Sequence, residues 1–324
     1  MRMTLQTRHL GADGPELSAI GLGCMSASWA YHLGERDDDE SVRVFERALE
    51  LGVTHLDTAS MYVPEHNERL VGRAIRGGRE GVTVASKAGL IVEDAMRRIV
   101  HRDGRPETLR RLCEGSLSRL GLETIDLYYL HRVDPDVPVE ESFGGLSELV
   151  AEGKIRRLGI SECTLDELGR AHAVHPVSAL QSELSLWTRD PLENGTLDWC
   201  AEHGAAFVAF GVLGRGFLTG ALPEGTTFPP NDFRCGNPRF TPEAMHANMR
   251  LVDGVARVAA RRGATPAQVL IAWVLGLADH VLAIPGTKRR AYLEDDVGGD
   301  GLELDAADRA ELERLPEPVG ARYA

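Results

Sequence analysis

An α/β chain folded as a (β/α)₈ barrel of the TIM type is what this sequence predicts, on three observations. One local pattern recurs, in which an amphipathic helix meets a glycine stop and then a short apolar run. It reads SVRVFERALELG-VTHLD, ETLRRLCEGSLSRLG-LETIDLYYLH, ELVAEG-KIRRLGIS and TLDWCAEHG-AAFVAFG. The apolar runs are continuous rather than alternating, as in strands covered by helices on both faces. Eight such runs alternate with helical segments over about 265 residues, the count for a closed barrel. A doubly wound open sheet competes, but its GxGxxG fingerprint should follow the first strand, and here the chain continues GLGCMSAS.

The elements follow in order. The first residues, LQTRHLGADGPELSAIGLG, predict a hairpin ahead of the barrel, turning around Asp13-Gly14-Pro15. The eight strands are expected at Ala19–Met25, His55–Ala59, Val82–Lys87, Asp126–His131, Arg157–Ser161, Ala179–Leu184, Ala206–Val212 and Val281–Pro285. After the first strand, Val42, Phe45 and Leu49 share a helical face, and Gly52 stands where a left-handed cap is wanted. Pro106 suits a first helical turn; Leu109, Leu112, Ser116 and Leu120 share a face, and Gly121 ends that helix. After strand seven the repeat breaks into a long loop, Leu213–Ala244, with five prolines and with Phe217, Phe228, Phe233 and Phe240. A loop of that length is usually functional, and its phenylalanines are expected to close over an apolar ligand. No Pro- or Ser-rich linker divides the chain, so residues 1–324 are read as a single domain.

Bulk properties narrow the function. The 324 residues carry 49 acidic and 36 basic side chains, a formal charge of −13. Such an excess argues against a nucleic-acid groove or an anionic membrane as the main partner. No stretch reaches ~18 apolar residues, and MRMTLQTRHLGADG lacks the apolar core of a secretory signal. Five cysteines are scattered with neither CxxC nor Cys/His spacing, so no metal site is expected, and reduced thiols in the cytoplasm are. The acidic run ERDDDE reads as a solvated helix start. Oligomeric state leaves no signal.

Chemistry concentrates at strand ends. Asp57 and Tyr62 lie in HLDTASMY, Lys87 in TVASKAG and His131 in DLYYLHR, each just past or at the end of a consecutive predicted strand. In such a barrel those positions face one rim. Alone, each has an ordinary structural explanation; the coincidence of four does not. A phenol with a pKa near 10 is a poor acid at neutral pH, so a nearby ammonium is expected to lower it, with a carboxylate keeping the buried lysine charged. A neutral His131 would donate an N–H to the substrate oxygen. The run IPGTKRR, Ile284–Arg290, combines a turn, a hydroxyl and three cations after the last strand, a pattern suited to phosphate.

These four residues resemble the tetrad of the aldo-keto reductases, NAD(P)H-dependent oxidoreductases on a (β/α)₈ barrel. The likeness runs from GLGCM near residue 21 to IPGTKRRAYLED, and NERLVGRAI, ALQSELSLWTRD, LGRGFLTG and NPRF are similar to a bacterial branch with a long active-site loop. The resemblance implies that Asp57, Tyr62, Lys87 and His131 are catalytic. It implies that Gly23, Cys24 and Met25 approach the cofactor, with Asp57 near its ribose. Ser161, Glu162 and Gln181 fall where the family grips the carboxamide, and Phe210 where an aromatic ring, usually Tyr, stacks on the nicotinamide. Gly211, Leu213, Gly214 and Gly216 would pass over the pyrophosphate. Gly286, Thr287, Lys288 and Arg289 would bind the cofactor, with Lys288 and Arg289 on a 2′-phosphate, which favours NADP(H), with NAD(H) also open. Two positions depart from the family: Glu162 replaces a frequent Asn, and Asp295-Asp296 replace Glu-Asn at the adenine end.

Trp29, Tyr31, His32, Tyr62, His131, Arg132 and Trp187 are the expected pocket walls, with the tail VGARYA beside them. They suit a small-molecule carbonyl or sugar-like substrate. Three functions stay open: carbonyl reduction by hydride transfer, a Schiff-base lysine barrel using Lys87, and a nicotinamide-sensing barrel with little turnover.

Overall fold

A computed structural model describes residues 4–31, 36–63, 65–94, 99–223 and 225–323. A short antiparallel hairpin, β1 (Thr7–His9) and β2 (Glu16–Ser18), comes first. Three barrel strands follow: β3 (Leu22–Gly23), β4 (His55–Asp57) and β5 (Thr83–Ala88). A second hairpin, β6 (Leu90–Asp94) and β7 (Ile99–Arg102), leaves the barrel at this point. The remaining strands are β8 (Leu127–Leu130), β9 (Leu158–Ser161), β10 (Val177–Glu183), β11 (Ala206–Phe210) and β12 (Val281–Ala283). The eight barrel strands pair in parallel in chain order. Ile20 bridges Ala283, and the Gly21 N–H donates to the Ala283 carbonyl at 2.8 Å, which closes the ring.

The helices lie outside. They are α1 (Asp38–Leu51), α2 (His66–Ala74), α3 (Pro106–Leu120), α4 (Val139–Ala151) and α5 (Leu165–Val174). After them come α6 (Thr196–Glu202), α7 (Pro242–Arg262), α8 (Pro266–Leu275), α9 (Arg290–Val297) and α10 (Ala306–Glu313). Their ends have local causes. The Asp37 carboxylate caps α1 by accepting from the Glu40 N–H, and Gly52 stops it at φ 103°. Pro106 opens α3 and Gly121 closes it at φ 68°.

Two apolar layers result. Between strands and helices lie Val44, Phe45, Phe143, Leu146, Val255 and Trp273, all buried. Inside the ring, Ala85, Leu127, Tyr129, Ala179, Val208 and Leu282 pack together, and Leu10 and Leu17 of the first hairpin join them. That hairpin therefore plugs one end of the barrel, and the site occupies the other.

All eight expected strands are present with shifted ends: most are trimmed, while β5 runs on to Ala88 and β10 starts two residues early, at Val177. The first shrinks most, to Leu22–Gly23, because the chain turns into a short 3₁₀ helix at Cys24–Ala27. The β6–β7 hairpin was not anticipated. The long loop is present over the described residues 211–223 and 225–241 and contains two short 3₁₀ turns, Gly214–Gly216 and Pro238–Phe240. Its phenylalanines mostly do not face a ligand. Phe217 and Phe240 pack on Trp187 at 4.7 and 5.4 Å between ring centroids, and Phe228 packs on Phe240 at 5.4 Å. They hold the loop down, and Phe233 reaches the cavity. Among the described residues no helix is long and apolar enough to cross a membrane.

Candidate active site

Asp57 is the last residue of β4, Lys87 the fifth of the six in β5, and His131 directly follows β8, so the parallel register brings all three to one rim. Tyr62 arrives from the turn after β4. Two neighbours in that turn, Val63 and Glu65, hold φ of 39° and 74°, a conformation side chains resist. Buried Asn67 helps fix it: its Oδ1 accepts from the Thr58 hydroxyl at 2.6 Å, and its Nδ2 donates to the Cys24 carbonyl at 2.8 Å.

The four groups form one connected network. The Lys87 ammonium pairs with Asp57 Oδ1 and donates to the Thr58 carbonyl at 2.7 Å. Gln181 Nε2 donates to the other Asp57 oxygen at 2.8 Å. The Lys87 ammonium also lies 5.4 Å from the Tyr62 ring centroid, close enough to act on the phenol by charge. The Tyr62 and His131 rings meet edge-on at 6.0 Å.

Burial and charge set the protonation states. Burial pulls the Lys87 ammonium down, but Asp57 and Tyr62 outweigh it, so the lysine stays charged above its ordinary range. For Tyr62 the balance differs from the expectation. Burial raises the phenol, Lys87 opposes it only in part, and the net direction is upward. Tyr62 is therefore a fully protonated donor at neutral pH. Burial, with Arg132 and Lys87 nearby, holds His131 well below its usual pKa, so its ring is neutral. Its Nδ1 is buried and has no partner among the described residues.

One cavity of about 1090 Å³ opens over these groups. Asp57, Tyr62, His131, Arg132, Trp29 and Tyr31 line it, and so do Gly23, Met25, Ser161, Gln181 and Phe210. Gly211, Leu213, Gly216, Gly286, Thr287, Lys288, Arg289, Asp295 and Asp296 belong to the same wall. Lys288 Nζ donates to the Tyr31 carbonyl at 3.2 Å, and the Arg289 guanidinium lies 5.5 Å from the Tyr292 ring. Asp295 accepts from the Thr265 hydroxyl and from Gln268 Nε2, each at 3.0 Å. Buried Asp296 has its carboxyl raised to about 8, by burial and then by Asp295.

Five expected site residues do not line the cavity. Cys24 is fully buried, with its thiol 3.6 Å from the Leu22 carbonyl, so it belongs to the core. Lys87 sits behind Asp57 and Tyr62. Gly214 is buried against Trp187, where an added Cβ would come within 2.6 Å of the indole. Trp187 itself is core, enclosed by Phe217, Phe240 and Arg239. Glu162 takes φ 54°, and its carboxylate accepts from Ser182 Oγ, the Glu183 N–H and Arg322 Nη2 at 2.9, 2.8 and 2.7 Å. That carboxylate is committed within the protein and not to the cavity. His32 lies outside the described residues.

The structure adds Leu90 and Val100 from the β6–β7 hairpin, Arg215 from the long loop, Glu183 from β10 and Tyr323 from the tail. The hairpin had a readable signal, the mirrored runs LIV and IV on either side of a charged stretch of sequence. Arg215 and Tyr323 had none, since their places depend on how loop and tail fold back.

The molecule resembles solved structures over nearly its whole length. A glycerol dehydrogenase from Gluconobacter oxydans, AKR11B4, is 33% identical, with TM-score 0.85 and coverage of 97% of this chain and 95% of that one. The holo form of an aldo-keto reductase from Bacillus halodurans, AKR11C1, is 25% identical, with TM-score 0.79 and coverage of 98% of each chain. An aldo/keto reductase from Klebsiella pneumoniae in complex with NADP and acetate is 26% identical, with TM-score 0.73 and coverage of 99% of each chain. The model of the Aldo/keto reductase family matches residues 19–317. With eight parallel strands closed into a barrel and that match across most of its length, the chain belongs to the aldo/keto reductase family.

Proposed function

We propose that this protein is an NADP(H)-dependent oxidoreductase that reduces an aldehyde or ketone to an alcohol, with Tyr62 as the general acid. The observation that carries the reading is the Asp57–Lys87–Tyr62 network, opening beside a neutral His131 into a cavity of about 1090 Å³. That volume has room for a dinucleotide as well as a small substrate. The donor chemistry also fits. Ser161 and Gln181 offer a hydroxyl and an amide to a carboxamide, Phe210 offers a flat apolar face, and Gly211, Leu213 and Gly216 offer backbone. Thr287, Lys288 and Arg289 offer a hydroxyl and two cations to a 2′-phosphate. When bound, the reduced nicotinamide supplies the hydride.

The chain's own residues do the rest. His131 and Tyr62 hold the carbonyl oxygen between an imidazole N–H and a phenol O–H. As negative charge grows on that oxygen, Tyr62 gives up its proton, and the Lys87 ammonium stabilises the phenolate left behind. Asp57 keeps Lys87 charged, and Gln181 fixes the Asp57 carboxylate. Trp29, Met61, Leu90, Val100 and Phe233 supply apolar walls that keep water from the developing charge. The Schiff-base alternative fits poorly, because Lys87 is only 1% exposed and is committed to Asp57.

The substrate is read as a small carbonyl compound or sugar. The Gluconobacter relative is a glycerol dehydrogenase, so short polyols and their aldehydes belong in the first panel. The Klebsiella complex with NADP supports the cofactor preference. A cytoplasmic place belongs to the same reading, with five free thiols. So does the treatment of the chain as one barrel domain.

The test follows cofactor absorbance over a panel of aldehydes, ketones and sugars with the parent enzyme and with Tyr62→Phe. The variant should lose roughly 10²–10⁴ in turnover while binding NADPH as before. Near-normal turnover would remove Tyr62 from the mechanism. Binding of NADPH without turnover of any carbonyl would favour the sensor reading.

A further inference from the structure

Two carboxylates stand beside the expected nicotinamide position, Glu183 in the cavity wall and Glu162 behind it. Glu162 directly follows Ser161, and Glu183 lies two residues beyond Gln181 on β10. Glu183 is 4% exposed at its side chain and Glu162 14%. A single cation spans them: Arg322 Nη2 donates to Glu162 at 2.7 Å, and Arg322 Nε donates to Glu183 at 2.8 Å. The same guanidinium lies 5.9 Å from the Phe210 ring.

The segment that delivers Arg322 is fastened residue by residue. Asn248 on α7 exchanges two hydrogen bonds with the Val319 backbone, at 2.8 and 3.0 Å. Arg239 donates to the Gly320 carbonyl at 3.3 Å, and Asn237 Nδ2 to the Arg322 carbonyl at 3.0 Å. Gly320 takes φ 97°, and a Cβ there would approach the Pro238 carbonyl oxygen to 2.6 Å. Beyond Arg322, Tyr323 lines the cavity and lies 5.4 Å from the Arg215 guanidinium.

We propose that Arg322 is a positioning residue that holds Glu162 and Glu183 together and so fixes Ser161, Gln181 and Phe210 for the nicotinamide. The proposal rests on the cofactor reading above. Glu183 keeps a second cation, Arg215 at 3.5 Å, but Arg322 is the cation that bridges it to half-buried Glu162; without that bridge the two carboxylates repel each other, and β9 and β10 are the elements that move. The strained φ of Glu162 is the weak point, since it persists only while its carboxylate is held. Burial pushes that carboxyl up, and Arg322, aided by Arg132, holds it below its ordinary range.

The experiment titrates NADPH by quenching of protein fluorescence in the parent, Arg322→Met, Arg322→Lys and the double variant Glu162→Gln/Arg322→Met. Thermal melts without cofactor establish that each is folded. Arg322→Met should weaken NADPH binding at least roughly tenfold and lower turnover by up to about 10²-fold. The lysine variant should recover part of the loss, and the double variant should recover more. An unchanged dissociation constant in a folded Arg322→Met variant would overturn the proposal. So would equal losses in the methionine, lysine and double variants. If the parent itself binds no NADPH, the reading of the site as a nicotinamide site fails, a different result from either.

Discussion

Asp296 ties stability to the proposed cofactor site through a single proton. Its carboxyl is raised from 3.8 to about 8, so the folded protein keeps a proton that the unfolded chain has released. The contribution of Asp296 to stability should therefore be greatest below about pH 4, fall as pH rises to about 8, and level off beyond. Replacing Asp296 by Asn removes that slope: the variant should match the parent near pH 4 and exceed it at pH 9 in urea unfolding. Asp296 also lines the cavity with Lys288 and Arg289. NADPH affinity should then decline in the parent between pH 7 and 9, and stay level in Asp296→Asn. At this scale the sequence was legible where chemistry and strand end coincide, as at Asp57, Tyr62 and His131. It was less legible where a residue follows a strand but turns inward. Cys24 and Trp187 stand in the right stretch of chain, yet their side chains fill the core, and adjacency along the chain does not encode that choice. Glu162 follows Ser161 at the strand end, but its carboxylate turns from the cavity to Arg322, 160 residues away.

Elements are positioned by volume as much as by pattern. Gly159 lies in β9 opposite Tyr129 of β8, whose ring fills the barrel interior. A Cβ on Gly159 would lie 2.4 Å from that ring and 2.9 Å from the Ala179 carbonyl oxygen. Gly159→Ala should therefore destabilise the protein by roughly 1–3 kcal/mol, because neither neighbour can retreat without disturbing a strand pairing. Guanidinium unfolding would measure it, and a cost near zero would mean that the interior has slack. Helix ends and strand cores were readable because each has a local cause: Pro106, Gly52, Gly121 and the apolar runs. Strand limits were not, since pairing partners across the ring decide where a ladder stops. The long loop was recognised by its prolines. Its aromatic residues were misjudged, because an apolar side chain in a loop packs under it more readily than over a ligand.

At the scale of the molecule, a chain of formal charge −13 keeps a basic stretch where the barrel closes. Lys288 and Arg289 therefore act against the general field, and their attraction for a phosphate should be sensitive to salt. NADPH affinity should fall as sodium chloride rises from 0.05 to 0.5 M, on the order of several-fold, and NADH affinity should fall less. Equal slopes for the two cofactors would show that the 2′-phosphate is not held by these cations. The barrel was foreseen from its eight-fold alternation, and its closure through Ile20 and Ala283 follows from the same register. The opening hairpin, with Leu10 and Leu17 in the barrel interior, has a practical consequence. It seals the floor using residues that never meet the reacting groups, so mutational libraries can be divided cleanly. Diversity aimed at new substrates belongs at Leu90, Val100 and Phe233, while consensus repair of thermal tolerance belongs at the floor, and gains from the two campaigns should combine additively.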